Sequence, residues 1–196
     1  MNYDYTRHYL RGWLLHFFGR TDGAYAAYEE AFRHNRNAWQ AAISMASIAA
    51  GRKNRRAAEF WFREALRIRP EDADTWFNLG FVLDEDGQRE PAIEAFRESV
   101  RIKPAQDRAW YGMGLVQAKC GAHGEAVRCF QKVTELQPMN GYGWYQLGMA
   151  HHHSNNPDEV TRIIQHLLGF EPKTCRLLIR DAGRSDLEHL TRDTIL

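Results

Sequence analysis

The sequence predicts an all-α protein built from repeated antiparallel helix pairs, and three observations lead to that prediction. Tryptophan recurs every 34 residues, at Trp76, Trp110 and Trp144. A glycine follows each of these tryptophans by four residues, and a proline precedes each by six. Between these markers the apolar residues keep helical spacing. A fixed period of this length indicates one structural unit copied along the chain.

Residues 73–106 illustrate the unit. The first predicted helix has apolar or small residues at i, i+3, i+4 and i+7, namely Trp76, Leu79, Gly80 and Leu83. A polar turn ends at Gly87. The second predicted helix has the spacing i, i+4 and i+8 in Ala92, Phe96 and Val100, and Pro104 closes the unit.

Five copies of this unit follow one another. We predict them at residues 5–38, 39–72, 73–106, 107–140 and 141–174, with Pro172 continuing the series of closing prolines. The order of an aromatic residue, leucine–glycine, a large residue, alanine, an aromatic, alanine and proline resembles the tetratricopeptide repeat. The resemblance covers residues 5–174 and is most specific in the three middle copies.

The two terminal copies depart from the pattern. The first has His8 and Arg11 where the family prefers apolar residues, and Arg36 where it prefers proline. The fifth has His151 at a packing position and Asn155 at the turn glycine. Such departures are expected, because the terminal units of a solenoid have one face without a neighbouring repeat.

The N-terminal segment allows two interpretations. Arg7 and Arg11 precede a short apolar run at residues 13–18, an order faintly similar to a signal peptide. The run contains a histidine and lacks a small-residue cleavage site, so we interpret it as the first helix of repeat one. The alternative is a helix that lies in a membrane interface.

The segment 175–196 no longer follows the repeat. Leu177, Leu178 and Ile179 predict a short helix interrupted near Gly183. Ser185 and Glu188 have the spacing of a capping box, which predicts a last helix through Leu187 and Leu190. We expect these helices to cap the solenoid, and docking on another copy is the alternative.

Composition excludes several function classes. The net charge is +1, so no long-range field favours nucleic acid, and no apolar run is long enough to span a membrane. Cys120, Cys129 and Cys175 form no metal pattern and are odd in number, which favours reduced thiols in the cytoplasm. A basic run at residues 52–69 is interpreted as a solvated outer face, partly neutralised by Glu59 and Glu64, with an acidic protein partner as the alternative.

The sequence offers no catalytic, cofactor-binding or metal-binding constellation. His151, His152 and His153 are consecutive, and successive helical residues point about 100° apart, so the three cannot converge on one ion. No phosphate-binding loop, dinucleotide fingerprint or nucleophile elbow is present. We therefore expect that the protein is not an enzyme.

The resemblance implies a right-handed superhelix whose concave groove is lined by the first helix of each repeat, where ligands usually lie. Opposite the packing face, these helices carry a set rich in aromatic residues, which we predict to be a partner-binding groove: Tyr9, Trp13, Phe17, Phe77, Asn78, Phe81, Tyr111, Leu115, Tyr142, Tyr145, Met149 and His152. Tyrosine and tryptophan are common among interface hot spots. The alternative is that several of these side chains pack against neighbouring helices.

Two functions follow from these features. The first is an adaptor, scaffold or chaperone that binds an apolar or aromatic peptide or helix in the groove. The second is a self-assembling solenoid, a homo-oligomer that mates through the aromatic face. A clamp for the acidic C-termini of heat-shock chaperones does not fit, because Ile43, Phe77 and Tyr111 stand where the family uses charged residues.

Overall fold

The computed structural model describes residues 3–194, and the regular secondary structure within that range is all helical, without β-strands. Residues 1–2 and 195–196, at the ends of the predicted ranges, lie outside the described residues. The prediction of an all-α protein made of helix pairs is confirmed. The chain divides into two compact units, Met1–Lys103 and Pro104–Leu196, which are described separately below.

The first unit holds three helix pairs. Their helices are α1 (Tyr3–Phe17), α2 (Thr21–His34), α3 (Trp39–Gly51), α4 (Arg55–Ile68), α5 (Ala73–Glu85) and α6 (Arg89–Ile102). The second unit holds α7 (Asp107–Lys119), α8 (His123–Leu136), α9 (Gly141–His153), α10 (Pro157–Leu168), α11 (Pro172–Asp181) and a 3₁₀-helix (Ser185–Thr194). Within each pair the first helix packs along the second.

The turn inside each pair requires a left-handed backbone at the same place. Glycine meets this requirement in three pairs, with φ of +72° at Gly19, +80° at Gly87 and +76° at Gly121. The other two pairs use Lys53, with φ of +59°, and Asn155, with φ of +55°. Asparagine tolerates this conformation better than lysine, because its short polar side chain can hydrogen-bond locally.

Each of the three periodic tryptophans ties its helix to the loop that precedes it. The indole N–H donates to the carbonyl oxygen of the proline six residues earlier, in the pairs Trp76–Pro70 at 2.7 Å, Trp110–Pro104 at 2.9 Å and Trp144–Pro138 at 2.8 Å. This hydrogen bond gives the recurring tryptophan a structural role at the same place in three helix pairs.

The C-terminal helices differ from a sixth repeat. Pro172 does not close a repeat, as the series of prolines led us to expect, but is the first residue of α11. Leu178 of α11 takes the space beside Gly148, since a Cβ atom on that glycine would lie 2.5 Å from a Leu178 methyl carbon. Leu187 and Leu190 pack on the same core from the last helix that the capping box predicted, which is a 3₁₀-helix. These elements cover the apolar end of the second unit.

Candidate functional site

The predicted groove residues fall into two groups that differ in exposure. The first group is half-buried and packs against core residues. Three first helices place an aromatic ring against the core aromatic ring of the helix that follows. The centroid distances are 5.5 Å for Tyr9–Tyr28, 6.0 Å for Phe77–Phe96 and 5.8 Å for Tyr111–Phe130. The outer member of each pair is half-buried. Tyr9, Phe77 and Tyr111 thus pack within their own repeats and are only partly accessible to solvent.

The second group is exposed to solvent. Four predicted groove residues are more than half exposed: Trp13 at 56%, Phe17 at 72%, Phe81 at 52% and Tyr142 at 70%. Trp13 and Phe17 stack on each other with centroids 5.9 Å apart. Exposed aromatic rings at these positions add nothing to the core, and such rings are typical anchors of protein interfaces.

A hollow of about 220 Å³ adjoins Phe81 in the first unit. Its lining comes from α3, α4 and α5 and consists of Ser47, Ala50, Phe62, Asn78, Phe81 and Val82. The walls are mainly apolar, while Ser47 and Asn78 contribute a hydroxyl and a carboxamide. The volume is below the range of about 300–1,000 Å³ typical of small-molecule sites, and is better matched to one inserted side chain. The carboxamide can both donate to and accept from a peptide backbone.

In the second unit, most of the predicted groove residues are partly buried against the hydrophobic core. Leu115, Tyr145 and Met149 are half-buried against the apolar cluster around α9, α10 and α11. The Tyr145 hydroxyl also donates a hydrogen bond of 2.8 Å to the carboxylate of Asp181 in α11. Burial, and secondarily this bond to Asp181, raises the pKa of Tyr145. Tyr145 is therefore a link between α9 and the C-terminal helices.

The consecutive histidines have three different surroundings. His151 is buried, with 8% exposure, whereas His152 and His153 are exposed. His152 meets His153 edge to face at 5.1 Å, and His153 stacks on His123 at 4.9 Å. The prediction that one histidine packs is confirmed for His151.

A larger pocket, which the sequence did not reveal, lies between α8, α9 and α10. Its volume is about 510 Å³, and its lining contains none of the predicted groove residues: Gln131, Thr134, Glu135, Trp144, Leu147, His151, Glu159, Arg162, Ile163 and His166. In the sequence, the one indication of this pocket was His151, a polar residue at a position where the repeat packs. Burial lowers the pKa of His151, and the negative charge of Glu159 partly opposes that shift.

Several cations of the basic run at residues 52–69 have partners within the chain. Arg52 forms an ion pair of 2.7 Å with Asp22, and Arg67 one of 3.3 Å with Glu64. Arg63 pairs with Glu59. Arg69 lies 4.3 Å from the ring centroid of Trp39, a cation–π geometry. These contacts support the interpretation of this run as a solvated outer face.

The described residues hold no metal centre. Within residues 3–194, no group of three or more His, Cys, Asp or Glu side chains is placed to bind a metal ion. The cysteines are free thiols, with Cys120 exposed and Cys129 and Cys175 buried. None of the described helices is long and apolar enough to cross a bilayer.

Comparison with known proteins identifies the repeat. A family model described as "Tetratricopeptide repeat" matches residues 73–106 and 107–140, the third and fourth helix pairs. A search of curated protein sequences gave no significant match.

Several solved structures share the fold. A crystal structure of MamA has a TM-score of 0.79 at 18% identity, covering 95% of this chain and 98% of that one. YrrB, described as a TPR protein with an unusual peptide-binding site, has a TM-score of 0.78 at 22% identity, covering 90% of each chain. A tetratricopeptide repeat protein from Parabacteroides merdae ATCC 43184 has a TM-score of 0.78 at 18% identity, covering 95% of this chain and 73% of that one. Residues 73–140 therefore match the tetratricopeptide repeat, and the chain shares the fold of solved proteins built from this repeat.

Proposed function

We propose that this protein is a non-catalytic interaction module, an adaptor, scaffold or chaperone that holds an apolar or aromatic segment of a partner protein. The observation that carries the proposal is the hollow beside Phe81, with its apolar walls and the Asn78 carboxamide. An inserted side chain would fill the hollow, while Asn78 bonds the backbone of the same segment. The solvent-exposed rings of Trp13, Phe17 and Tyr142 would extend the contact surface within their own units.

Two further observations support this assignment. YrrB, which has the same fold, is described as having a peptide-binding site. Phe81 is 52% exposed although it follows the buried Gly80 in a helix whose other apolar residues are mostly buried. We also infer a reducing compartment such as the cytoplasm, because Cys120 is an exposed free thiol.

The proposal is tested by selecting short peptides from a random display library on the intact protein and measuring their affinity by fluorescence anisotropy. Phe81→Ala should weaken binding by roughly 30-fold, the loss that corresponds to a hot spot of about 2 kcal/mol. Phe60→Ala is the matched control, because Phe60 is 55% exposed and is not one of the residues that line the hollow. Equal loss in both variants, or none in Phe81→Ala, contradicts the proposal.

The alternative is self-assembly through the exposed aromatic residues. It is favoured by the large aromatic side chains that remain exposed to solvent, above all Phe17 and Tyr142. Sedimentation velocity separates the two functions. A single species with the mass of one chain supports a peptide-binding module, whereas concentration-dependent growth that Phe81→Ala and Tyr142→Ala abolish supports self-assembly.

A further inference from the structure

Helix α1 is apolar on two opposite faces, and the structure buries only one. Its inner face packs on α2, where Gly12 lies so close to Tyr28 that a Cβ atom would come within 2.8 Å of the ring. Its outer side exposes half or more of five large apolar residues, Tyr3, Leu10, Trp13, Leu14 and Phe17, and Phe18 in the turn directly after the helix is also exposed. So many exposed large apolar side chains on one side of a helix are characteristic of an interaction surface.

The repeat register shows that most of this apolar surface is additional to the fold. At the sixth position of the repeat, α1 has Leu10 where the other first helices have Ser44, Asn78, Gly112 and Gln146. At the thirteenth and fourteenth positions it has Phe17 and Phe18, where α5 has Glu85 and Asp86. Repeat packing does not call for large apolar residues here, so these side chains are placed for contact with something outside the described chain.

A second observation concerns Arg7, at the third position of the repeat. Its counterparts are small and buried: Ala41 is 0% exposed and Thr75 is 1% exposed. In α9 the counterpart is Gly143, where a Cβ atom would lie 3.0 Å from Val133 of the preceding helix. A small residue at this position lets a preceding helix approach closely. Arg7 removes that fit, so the outer face of α1 is not shaped for another helix of this repeat.

Charge argues against a second copy of the chain as the occupant. Arg7 and Arg11 are exposed on α1, and Asp4 is an exposed acidic residue of the same helix. A symmetric dimer apposes the same patch of both copies, so it would bring the arginines of two copies into one interface. Like charges brought together in an interface are destabilising.

We propose that the outer face of α1 is a docking surface for an anionic lipid bilayer. The helix would lie in the plane of the interface with Leu10, Phe17 and Phe18 among the acyl chains. Aromatic and leucine side chains on one face, with arginines at its edge, are the composition of interfacial helices. Arg7 and Arg11 would extend to the lipid phosphates while their aliphatic stems stay on the apolar side. The proposal is independent of the hollow beside Phe81.

The test is co-sedimentation of the full chain with vesicles of phosphatidylcholine alone or mixed with phosphatidylserine. We expect binding to the anionic vesicles that falls as salt is raised. Leu10→Ser/Phe18→Ser should weaken it by at least about tenfold. Arg7→Gln/Arg11→Gln should weaken it by roughly 30-fold, since each cation near an anionic surface contributes about 1 kcal/mol. Neither pair includes a predicted groove residue.

Two controls keep the outcome decisive. Circular dichroism of each variant verifies that the helices are retained, and Phe81→Ser should bind vesicles as the unchanged protein does. The proposal is overturned if the chain does not bind anionic vesicles, or if Leu10→Ser/Phe18→Ser binds them equally well. It is also overturned if sedimentation equilibrium finds a dimer that Leu10→Ser/Phe18→Ser dissociates, because the face would then be an interface between copies.

Discussion

Gly80 lies directly against the aromatic ring of Phe96. A Cβ atom built on the glycine would come within 2.8 Å of the Cδ1 and Cε1 atoms of the ring. Gly12 against Tyr28 and Gly114 against Phe130 repeat the same relationship in two other helix pairs. The missing side chain therefore sets the distance between the two helices of these pairs, which accounts for the glycines that follow Trp76 and Trp110, whereas Gly148 after Trp144 makes room for Leu178 of α11.

Replacing this glycine should destabilise the protein although glycine is a poor helix residue. Gly80→Ala gains up to about 1 kcal/mol of helix propensity. The added methyl group, however, displaces a fully buried ring, and overpacking of this kind costs about 1–3 kcal/mol. We expect a net loss of roughly 1 kcal/mol in the free energy of unfolding, measured by urea denaturation.

Gly124→Ala is the matched control. Gly124 lies in α8, and a Cβ atom there would have no neighbour within 4 Å. The same substitution should therefore stabilise the protein by about 0.5 kcal/mol through propensity alone. If both variants shift the urea midpoint in the same direction, helix approach does not depend on the glycine at position 80.

Lys53 offers a second test of local geometry. Its φ of +59° is in the left-handed region, where glycine stands in three other pairs. A residue with a Cβ atom in this region loses about 1–2 kcal/mol of folding stability. Glycine avoids that strain, but part of the gain is offset because glycine is more flexible in the unfolded chain. We expect Lys53→Gly to stabilise the protein by roughly 0.5–1 kcal/mol and to raise Tm by about 2–4 °C, measured by thermal circular dichroism.

The control substitution is Lys53→Ala, which keeps the backbone strain at the positive φ and removes the charged end of the side chain. Lys53→Ala retains a Cβ atom at the same φ, so its Tm should stay close to that of the unchanged protein. In the opposite direction, Gly87→Ala at φ of +80° should lower Tm. An equal gain in Lys53→Ala and Lys53→Gly would assign the effect to charge instead of to backbone conformation.

The period of the sequence was sufficient to predict the helix pairs, because helix packing repeats locally within 34 residues. Spacing identified Trp76, Leu79 and Gly80 as one face, and all three take part in packing contacts or helix approach. The start of α11 could not be predicted in this way. Proline is compatible both with the end of a repeat and with the first turn of a helix, and Pro172 takes the second role.

Prediction of the candidate site was limited by long-range contacts. Periodicity assigns a residue to a face of its helix, but it does not say which neighbour covers that face. Tyr145 was predicted to be open, and its hydroxyl instead bonds Asp181, which is 36 residues away. Phe81, at a groove position of another repeat, remains exposed. The pocket around His151 depends on how α8, α9 and α10 meet, which the pattern within one repeat does not contain.

The hydrogen bond between tryptophan and proline should make a measurable contribution to stability. In Trp110→Phe the ring keeps most of its packing area, but the carbonyl oxygen of Pro104 loses its donor at 2.9 Å. We expect a loss of about 1 kcal/mol, the usual net value of one hydrogen bond, in urea denaturation.

Trp39→Phe is the comparison for that variant. Trp39 supports the Arg69 guanidinium, 4.3 Å from its ring centroid, and phenylalanine keeps a ring in that place. Its cost should stay below about 0.5 kcal/mol. A loss in Trp110→Phe no larger than in Trp39→Phe would mean that ring size, and not the indole N–H, explains the recurrence of tryptophan.

Stability should fall in mild acid because of His151. Burial lowers the pKa of His151 below its ordinary value of 6.5, so the folded state disfavours the protonated ring. Between the folded and unfolded pKa values the unfolded chain binds more protons, and the free energy of unfolding therefore decreases as pH falls below about 6.5. Above that pH both states hold a neutral ring, and His151 adds no pH dependence.

Leucine at this site should remove the effect. His151→Leu restores the residue type that α5 has at the equivalent position, Leu83, and leaves no titrating group there. Urea denaturation at pH 7.5 and pH 5.5 should give a smaller difference for this variant than for the unchanged protein. His152→Ala, which alters an exposed neighbour, should keep the full difference. If His151→Leu loses as much stability in acid as the unchanged protein, the acid sensitivity arises from other groups.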